Sequence, residues 1–371
     1  MAKIRALVVD DAVVVRRMVS DVLAGDPDIE VVGTAANGRI AIQKITQVNP
    51  DIVTMDIEMP EMDGLQTLKA LRQTHPHLPV IMFSTLTERG GTATLDALSL
   101  GASDYVTKPA NVGSVALAQQ RIREELIPKI KALCRRTHPT TPSPLPPARP
   151  PHVVPFSPTR PVLAPSTAAG GHVHVVAIGV STGGPNALAV LLPMLPADFP
   201  VPIVLVQHMP PMFTKLLAER LDAQSRLKVI ESAGGEILAP GCVYVAPGNF
   251  HMIVQRRGSD VLTVLNQEPP QNSCRPAVDP LFRSVSHVYG GHALGVILTG
   301  MGQDGLRGAE ELHAGGSRVI AQDEASSVVW GMPGFVVKAG LADRVLPLHA
   351  IAAEIMRSCQ PVPLGVGLST R

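Results

Sequence analysis

The sequence predicts an α/β protein made of two doubly wound domains joined by a proline-rich tether. Three observations carry that expectation. Short apolar runs alternate with segments of helical spacing from residue 4 to residue 133, and the alternation resumes after residue 171. Between these regions, residues 135–170 are packed with proline, serine and threonine and hold no acidic residue. A length of 371 residues exceeds one domain of ordinary size, and 45% apolar residues suffice for two cores.

Composition removes several function classes. The formal net charge is +1 and the 32 basic residues are scattered, so no electrostatic footprint for nucleic acid or an anionic membrane is present. Aromatic residues, at 3%, are too few for base-stacking platforms. Cys134, Cys242, Cys274 and Cys359 lack the paired spacing of a zinc site or disulfide framework, which suits a reducing cytoplasm. No long apolar leader or membrane-length run occurs, so a cytoplasmic protein without membrane insertion is expected.

In the first region, residues 4–9 read as a buried strand ending at Asp10 and Asp11. Helical spacing follows at 13–23. Strands at 30–35, 52–55, 80–83 and 105–106 then alternate with helices at 38–48, 64–73, 92–100 and 115–133. Such alternation gives a parallel sheet with helices on both faces, whose ligands sit at the carboxyl ends of the strands. Those ends carry Asp10, Asp11, Asp56, Ser84 and Lys108. Three carboxylates in one crevice repel one another unless a cation neutralises them, and hard oxygen ligands suit Mg²⁺. Any one of these aspartates could simply cap the helix that follows it; the combination of types on four strand ends is what argues for a site.

With these residues in place, residues 1–134 resemble the receiver domains of two-component signalling, which have a flavodoxin-like fold. By that resemblance Asp56, in DIVTMDIEMPEMDG, is the aspartate phosphorylated from a histidine kinase, and Asp10 and Asp11 hold Mg²⁺ with it. Ser84 and Lys108 would contact the phosphoryl oxygens. A carboxylate attacking phosphorus needs its charge offset in this way. Tyr105 matches the family's switch aromatic, although a buried strand tyrosine accounts for it nearly as well.

Residues 135–170 read as a semi-stiff, solvated spacer, because proline removes backbone donors and favours extended polyproline conformations. After residue 171 the expected order is strand 173–179, helix 185–192, strand 203–207, helix 212–223 and strand 228–230. Short segments at 242–246, 251–256 and 261–265 read as antiparallel hairpins. Helix 280–288, strand 293–299, helix 302–314 and strand 318–321 complete a Rossmann-like, mainly parallel sheet with a hairpin insertion.

The stretch VVAIGVSTGGP places Ser181 in a G-x-S-x-G turn directly after a strand. Taken alone, this turn fits a nucleophile, a phosphate cradle or a plain tight turn, and Asp198 stands near the spacing of a ribose-binding acid. A general base for Ser181 must come from the carboxyl end of a neighbouring strand. His208, directly after IVLVQ, is the histidine that fits. Asp304, in the glycine-rich turn after ALGVILT, is the acid that fits. Each has a plainer reading, a satisfied structural histidine and a helix cap, but together they supply the three types of a catalytic triad. Their chain order, Ser then His then Asp, differs from that of the α/β-hydrolases.

IGVSTGGP, VLVQHMPP, GCVYVAPGNFHM, RPAVDPLFRS, GVILTGMGQDG and AQDEASSVVWGMPGFVVKAG together resemble the catalytic domain of the chemotaxis protein-glutamate methylesterases. The resemblance implies Ser181 as nucleophile, His208 as base and then acid, and Asp304 as the residue orienting it. Oxyanion support would come from the Met301 N–H and from Thr182. It also implies hydrolysis of glutamate methyl esters on chemoreceptor cytoplasmic domains, with deamidation of glutamines, under phosphorylation control. The expected partners are those receptors and a chemotaxis histidine kinase, with the enzyme acting as a monomer. In NSCRPAVDP, Cys274 stands where the family more often has histidine. The expected division is receiver 1–134, linker 135–170, catalytic domain 171–360 and tail 361–371. The competing expectation is a non-enzymatic response regulator whose C-terminal domain binds a partner.

Overall fold

The structure, a computed structural model, describes residues 2–108, 114–134 and 172–360. The spacer expected at 135–170 and the tail at 361–371 lie outside the described residues.

The first unit runs β1 (Ile4–Val9), α1 (Val13–Ala24), β2 (Ile29–Ala35), α2 (Gly38–Val48), β3 (Ile52–Asp56), α3 (Gly64–Thr74), β4 (Val80–Ser84), α4 (Glu88–Ser99), β5 (Asp104–Thr107) and α5 (Val115–Cys134). The strands pair in parallel in the order β2-β1-β3-β4-β5. β3 and β4 are buried along their whole length, which explains why they read as mainly apolar runs, broken in β3 by the buried Thr54, rather than as alternating ones. The helix expected at 92–100 begins earlier, at Glu88. Thr87 caps it by accepting the Gly90 N–H at 3.0 Å, and the glycines that follow hide the start from any periodicity. Gly91 lets α4 approach the second unit closely: a Cβ there would lie 2.6 Å from the end of the Leu216 side chain.

The second unit runs β6 (Val175–Val180), α6 (Gly184–Leu191), β7 (Ile203–Gln207), α7 (Phe213–Gln224), β8 (Lys228–Glu231), β9 (Cys242–Val245), β10 (His251–Arg257), β11 (Asp260–Asn266), α8 (Val278–Tyr289), β12 (Ala293–Ile297), α9 (Leu306–Ala314), β13 (Arg318–Gln322), α10 (Met332–Lys338), β14 (Arg344–Leu346) and α11 (Leu348–Cys359). Seven strands form a parallel sheet in the order β14-β13-β12-β6-β7-β9-β8, and β10 and β11 form a separate antiparallel pair. The segment at 242–246 therefore does not belong to a hairpin. β9 pairs in parallel with both β7 and β8, because Val243, Tyr244 and Val245 are all buried and need an interior position. The helix expected from 302 starts at Leu306, since Gly302 and Gly305 take left-handed φ of 84° and 88°. The elements after residue 322 had no counterpart in the sequence reading.

The two units pack together through α4 and β5 on one side and α6 and α7 on the other. Tyr105 stacks on Phe213 with ring centroids 5.1 Å apart, Asn186 donates to the Leu98 carbonyl at 2.7 Å, and Arg220 pairs with Asp96 at 2.7 Å. Apolar residues from both units merge into one buried cluster around these contacts. The Arg220–Asp96 pair is partly exposed and contributes at most ~1 kcal/mol. Burial of a side chain such as Phe213, which has no exposure, is worth about 1.5–3 kcal/mol. Apolar packing therefore dominates the docking.

Candidate active site

β12, β6 and β7 are neighbours in the sheet, so the turns that follow them share one edge. Ser181 leaves β6 with its N–H on the Thr299 carbonyl at 3.0 Å, and the His208 N–H reaches the Val180 carbonyl at 3.2 Å. The turn is closed by Gly183, at φ 79°, where a Cβ would collide with Val328 at 2.6 Å. Gly300 comes so close that a Cβ there would lie 2.9 Å from the Ser181 Cβ. Thr299 ties this edge together: its hydroxyl donates to the Thr182 carbonyl at 2.9 Å, and its N–H to Gln322 Oε1 at 2.8 Å. Among the described residues no acceptor takes the Met301 N–H.

His208 Nε2 and Asp304 Oδ2 lie 2.7 Å apart, with the histidine side chain 11% and the aspartate 2% exposed. Asp304 is anchored from several directions. Its Oδ2 accepts the Val278 N–H at 2.6 Å, and its Oδ1 accepts from Asp279 N at 3.1 Å, Gly305 N at 3.0 Å and Asn272 Nδ2 at 2.9 Å. Two of these donors open α8, where the helix dipole favours an anion. Burial disfavours the Asp304 carboxylate, but His208 and the backbone donors outweigh it and hold its pKa below the usual carboxylate value. Burial likewise opposes a charged His208; Asp304 and Cys274 overcome it and hold the ring above its usual range. The plainer reading of Asp304 also applies in altered form, since it caps α8 rather than the helix that follows it.

Of the three residues expected to act together, the structure joins His208 to Asp304. Ser181 Oγ makes no hydrogen bond to either among the described residues; the second ring nitrogen, Nδ1, faces Cys274 Sγ at 3.5 Å. Thr182 is buried, and its hydroxyl donates to Asp104 Oδ2 of the first unit at 2.8 Å. Lys129 also pairs with that oxygen, at 3.1 Å. His208 and Cys274 line a cavity of about 300 Å³ whose far wall is Tyr105, Thr107 and Lys129, so β5 and α5 overlie the cleft. Asp104 and Asn272 carried no sequence signal, because their partners are 78 and 32 residues away.

At the other sheet edge, Asp10, Asp11 and Asp56 present oxygens all within 4.8 Å of one another. Lys108 Nζ lies 2.7 Å from Asp56 Oδ2 and 3.1 Å from Asp10 Oδ2. Burial pushes Asp56 up to about 6 despite Lys108, so a further cation is electrostatically welcome there. The three carboxylates thus fit Mg²⁺, a hard cation that needs only one or two of them and keeps water as its other ligands. Ser84 lines the same cavity of about 250 Å³, but its hydroxyl is committed to the Gly90 carbonyl at 3.0 Å. Among the described residues, no helix is long and apolar enough to cross a membrane.

Both units match known protein families. Residues 176–355 match the family CheB methylesterase, and residues 6–118 match the response regulator receiver domain. A protein-glutamate methylesterase/protein-glutamine glutaminase of Trichodesmium erythraeum is 53% identical, over 96% of this chain and 99% of its own. One from Nocardioides sp. is 54% identical, over 96% of each. The crystal structure of the Thermotoga maritima CheB methylesterase catalytic domain is 45% identical, covers 50% of this chain and 99% of its own, and superposes with a TM-score of 0.49. The chain therefore belongs to the CheB methylesterase family, in the form that carries a receiver domain ahead of the methylesterase domain.

Proposed function

We propose that this protein removes methyl groups from glutamate side chains of chemoreceptor cytoplasmic domains, and deamidates receptor glutamines, under control of phosphorylation at Asp56. The observation that carries the reading is the His208–Asp304 pair, its carboxylate buried, at the sheet edge that presents Ser181. Because Nε2 is engaged by Asp304, Nδ1 is the nitrogen left to take the Ser181 proton. The hydroxyl oxygen then attacks the ester carbonyl, and the Met301 N–H supports the oxyanion, with Thr182 freed to help. His208 returns the proton to the leaving methanol, or to ammonia from a glutamine. Water, activated by the same ring, then hydrolyses the acyl-enzyme.

In the receiver, Asp10, Asp11 and Asp56 would hold Mg²⁺, which offsets the charge of the incoming phosphoryl group when bound. Asp56 is the acceptor, Lys108 pairs with the charge on its oxygens, and Ser84 can turn from Gly90 toward the phosphoryl group. The phosphate comes from a chemotaxis histidine kinase. The reading places the protein in the cytoplasm, as a monomer, with residues 1–134 as receiver and 171–360 as catalytic domain.

In the docked arrangement the Thr182 hydroxyl is held by Asp104, and β5 and α5 overlie the cleft. Phosphorylation that shifts the receiver would release both. The test is methanol release from methylated receptor membranes with and without a small phosphodonor. Asp56→Ala is expected to keep basal activity and lose stimulation, and unchanged stimulation would sink the coupling. Asp104→Ala removes a buried acceptor worth ~1 kcal/mol of docking, so basal activity should rise about fivefold. Basal activity at the wild-type level would show that this contact does not restrain the enzyme.

A further inference from the structure

Residues Gln271–Cys274 form a tight turn in which Gln271 and Cys274 exchange both backbone hydrogen bonds, at 3.1 and 2.8 Å. Its two central residues, Asn272 at φ 51° and Ser273 at φ 63°, are left-handed. Asparagine tolerates that region, but serine there is uncommon, so the turn holds a conformation that local preference does not supply. The two side chains of the turn that point inward meet opposite ends of the same pair. Asn272 Nδ2 donates to Asp304 Oδ1 and to Asp279 Oδ2, both at 2.9 Å, while Cys274 Sγ sits 3.5 Å from His208 Nδ1.

We infer that Asn272 and Cys274 are positioning residues of the acid–base pair, one fixing Asp304 and the other steering His208 by the nitrogen that must serve Ser181. The inference rests on the reading of His208 as the base of Ser181. A thiol is both a weak donor and a weak acceptor. It can accept the Nδ1–H of the charged ring, which favours proton uptake, and as a weak donor it yields Nδ1 of the neutral ring to the Ser181 hydroxyl. It also raises the basicity of the ring alongside Asp304. The other charged groups around this cavity are Glu125 and Lys129 from α5 and Arg275 beside Cys274. Arg275 is already engaged by the Gln267 and Glu268 carbonyls and by Asn249. Lys129 is engaged by Asp104. Of these neighbours, Cys274 is the one within hydrogen-bonding distance of Nδ1.

The experiment uses the full chain activated by a phosphodonor. Cys274→Ala should lower kcat for methanol release about fivefold with KM unchanged, because a weak hydrogen bond to the working ring is lost. It should also move the acid limb of the pH profile to lower pH, since a group that favoured the charged ring is gone. Cys274→Ser, whose hydroxyl both donates and accepts, should return both values toward wild type. An NMR titration of the His208 ring should show the same downward shift in Cys274→Ala. Unchanged kcat and titration in Cys274→Ala would overturn the inference, as would a rise in kcat, which would make the thiol a competitor of Ser181. A Cys274→Ser variant indistinguishable from Cys274→Ala would do the same. A wild type that releases no methanol would instead sink the methylesterase reading, and the titration would still decide the role of Cys274.

Discussion

Replacing Ser181 by alanine is expected to lower methanol release by at least about 10⁴-fold, because loss of a triad nucleophile leaves only binding and oxyanion support. The substitution removes one oxygen from a half-buried side chain that makes no hydrogen bond to His208 or Asp304, and it leaves the Cβ against Gly300 in place. Folding should therefore be unaffected, and phosphorylation at Asp56 should proceed normally. A variant that retains activity within tenfold of the wild type would remove Ser181 from the mechanism. A variant that loses both activity and its thermal transition would show only that the turn had collapsed.

Asp304→Asn should cost about 10⁴-fold in kcat for a different reason, since an amide in place of an orienting carboxylate presents the wrong partner to the histidine. Asp304 accepts from His208 and from the N–H groups of Val278, Asp279 and Gly305, all of them donors. An amide NH₂ turned toward any of these meets a donor with a donor. The carboxylate also favours the charged form of His208. Its loss lowers the pKa of the ring, so the base stays neutral to lower pH and the acid limb of the residual activity shifts downward. An activity loss without that shift would mean that Asp304 positions the ring without tuning it. Some loss of stability, about 1–3 kcal/mol, should accompany the change because buried donors lose their acceptor.

The parts of the molecule legible in the sequence are those fixed by local pattern and strand-end placement. Continuous apolar runs located the strands of both parallel sheets except β14, whose short, largely exposed segment Arg344–Leu346 carries no such run. The rule that chemistry sits at carboxyl ends selected His208 and Asp304 from distant positions, and their contact at 2.7 Å follows from the adjacency of β6, β7 and β12. Pairing partners were less legible. Cys242–Val245 has the length of a hairpin strand and turn signals on both sides, yet two buried faces place it inside the main sheet. The contact of Thr182 with Asp104 was invisible because it joins two domains, each of which satisfies its own pattern without the other. Cys274 stood out only as a departure in residue type, and its meaning depends on a turn whose left-handed residues leave no periodic signature.

The docking of β5 and α5 over the cleft has a consequence that runs backward. Free-energy coupling between two sites is reciprocal. If a phosphoryl group on Asp56 favours an open cleft, then a receptor segment seated against Ser181 must favour the phosphorylated receiver by the same factor. Receptor-bound molecules would then hold their phosphate more readily than free ones. Demethylation would be weighted toward enzyme already bound to its substrate, even when all copies share one phosphate source.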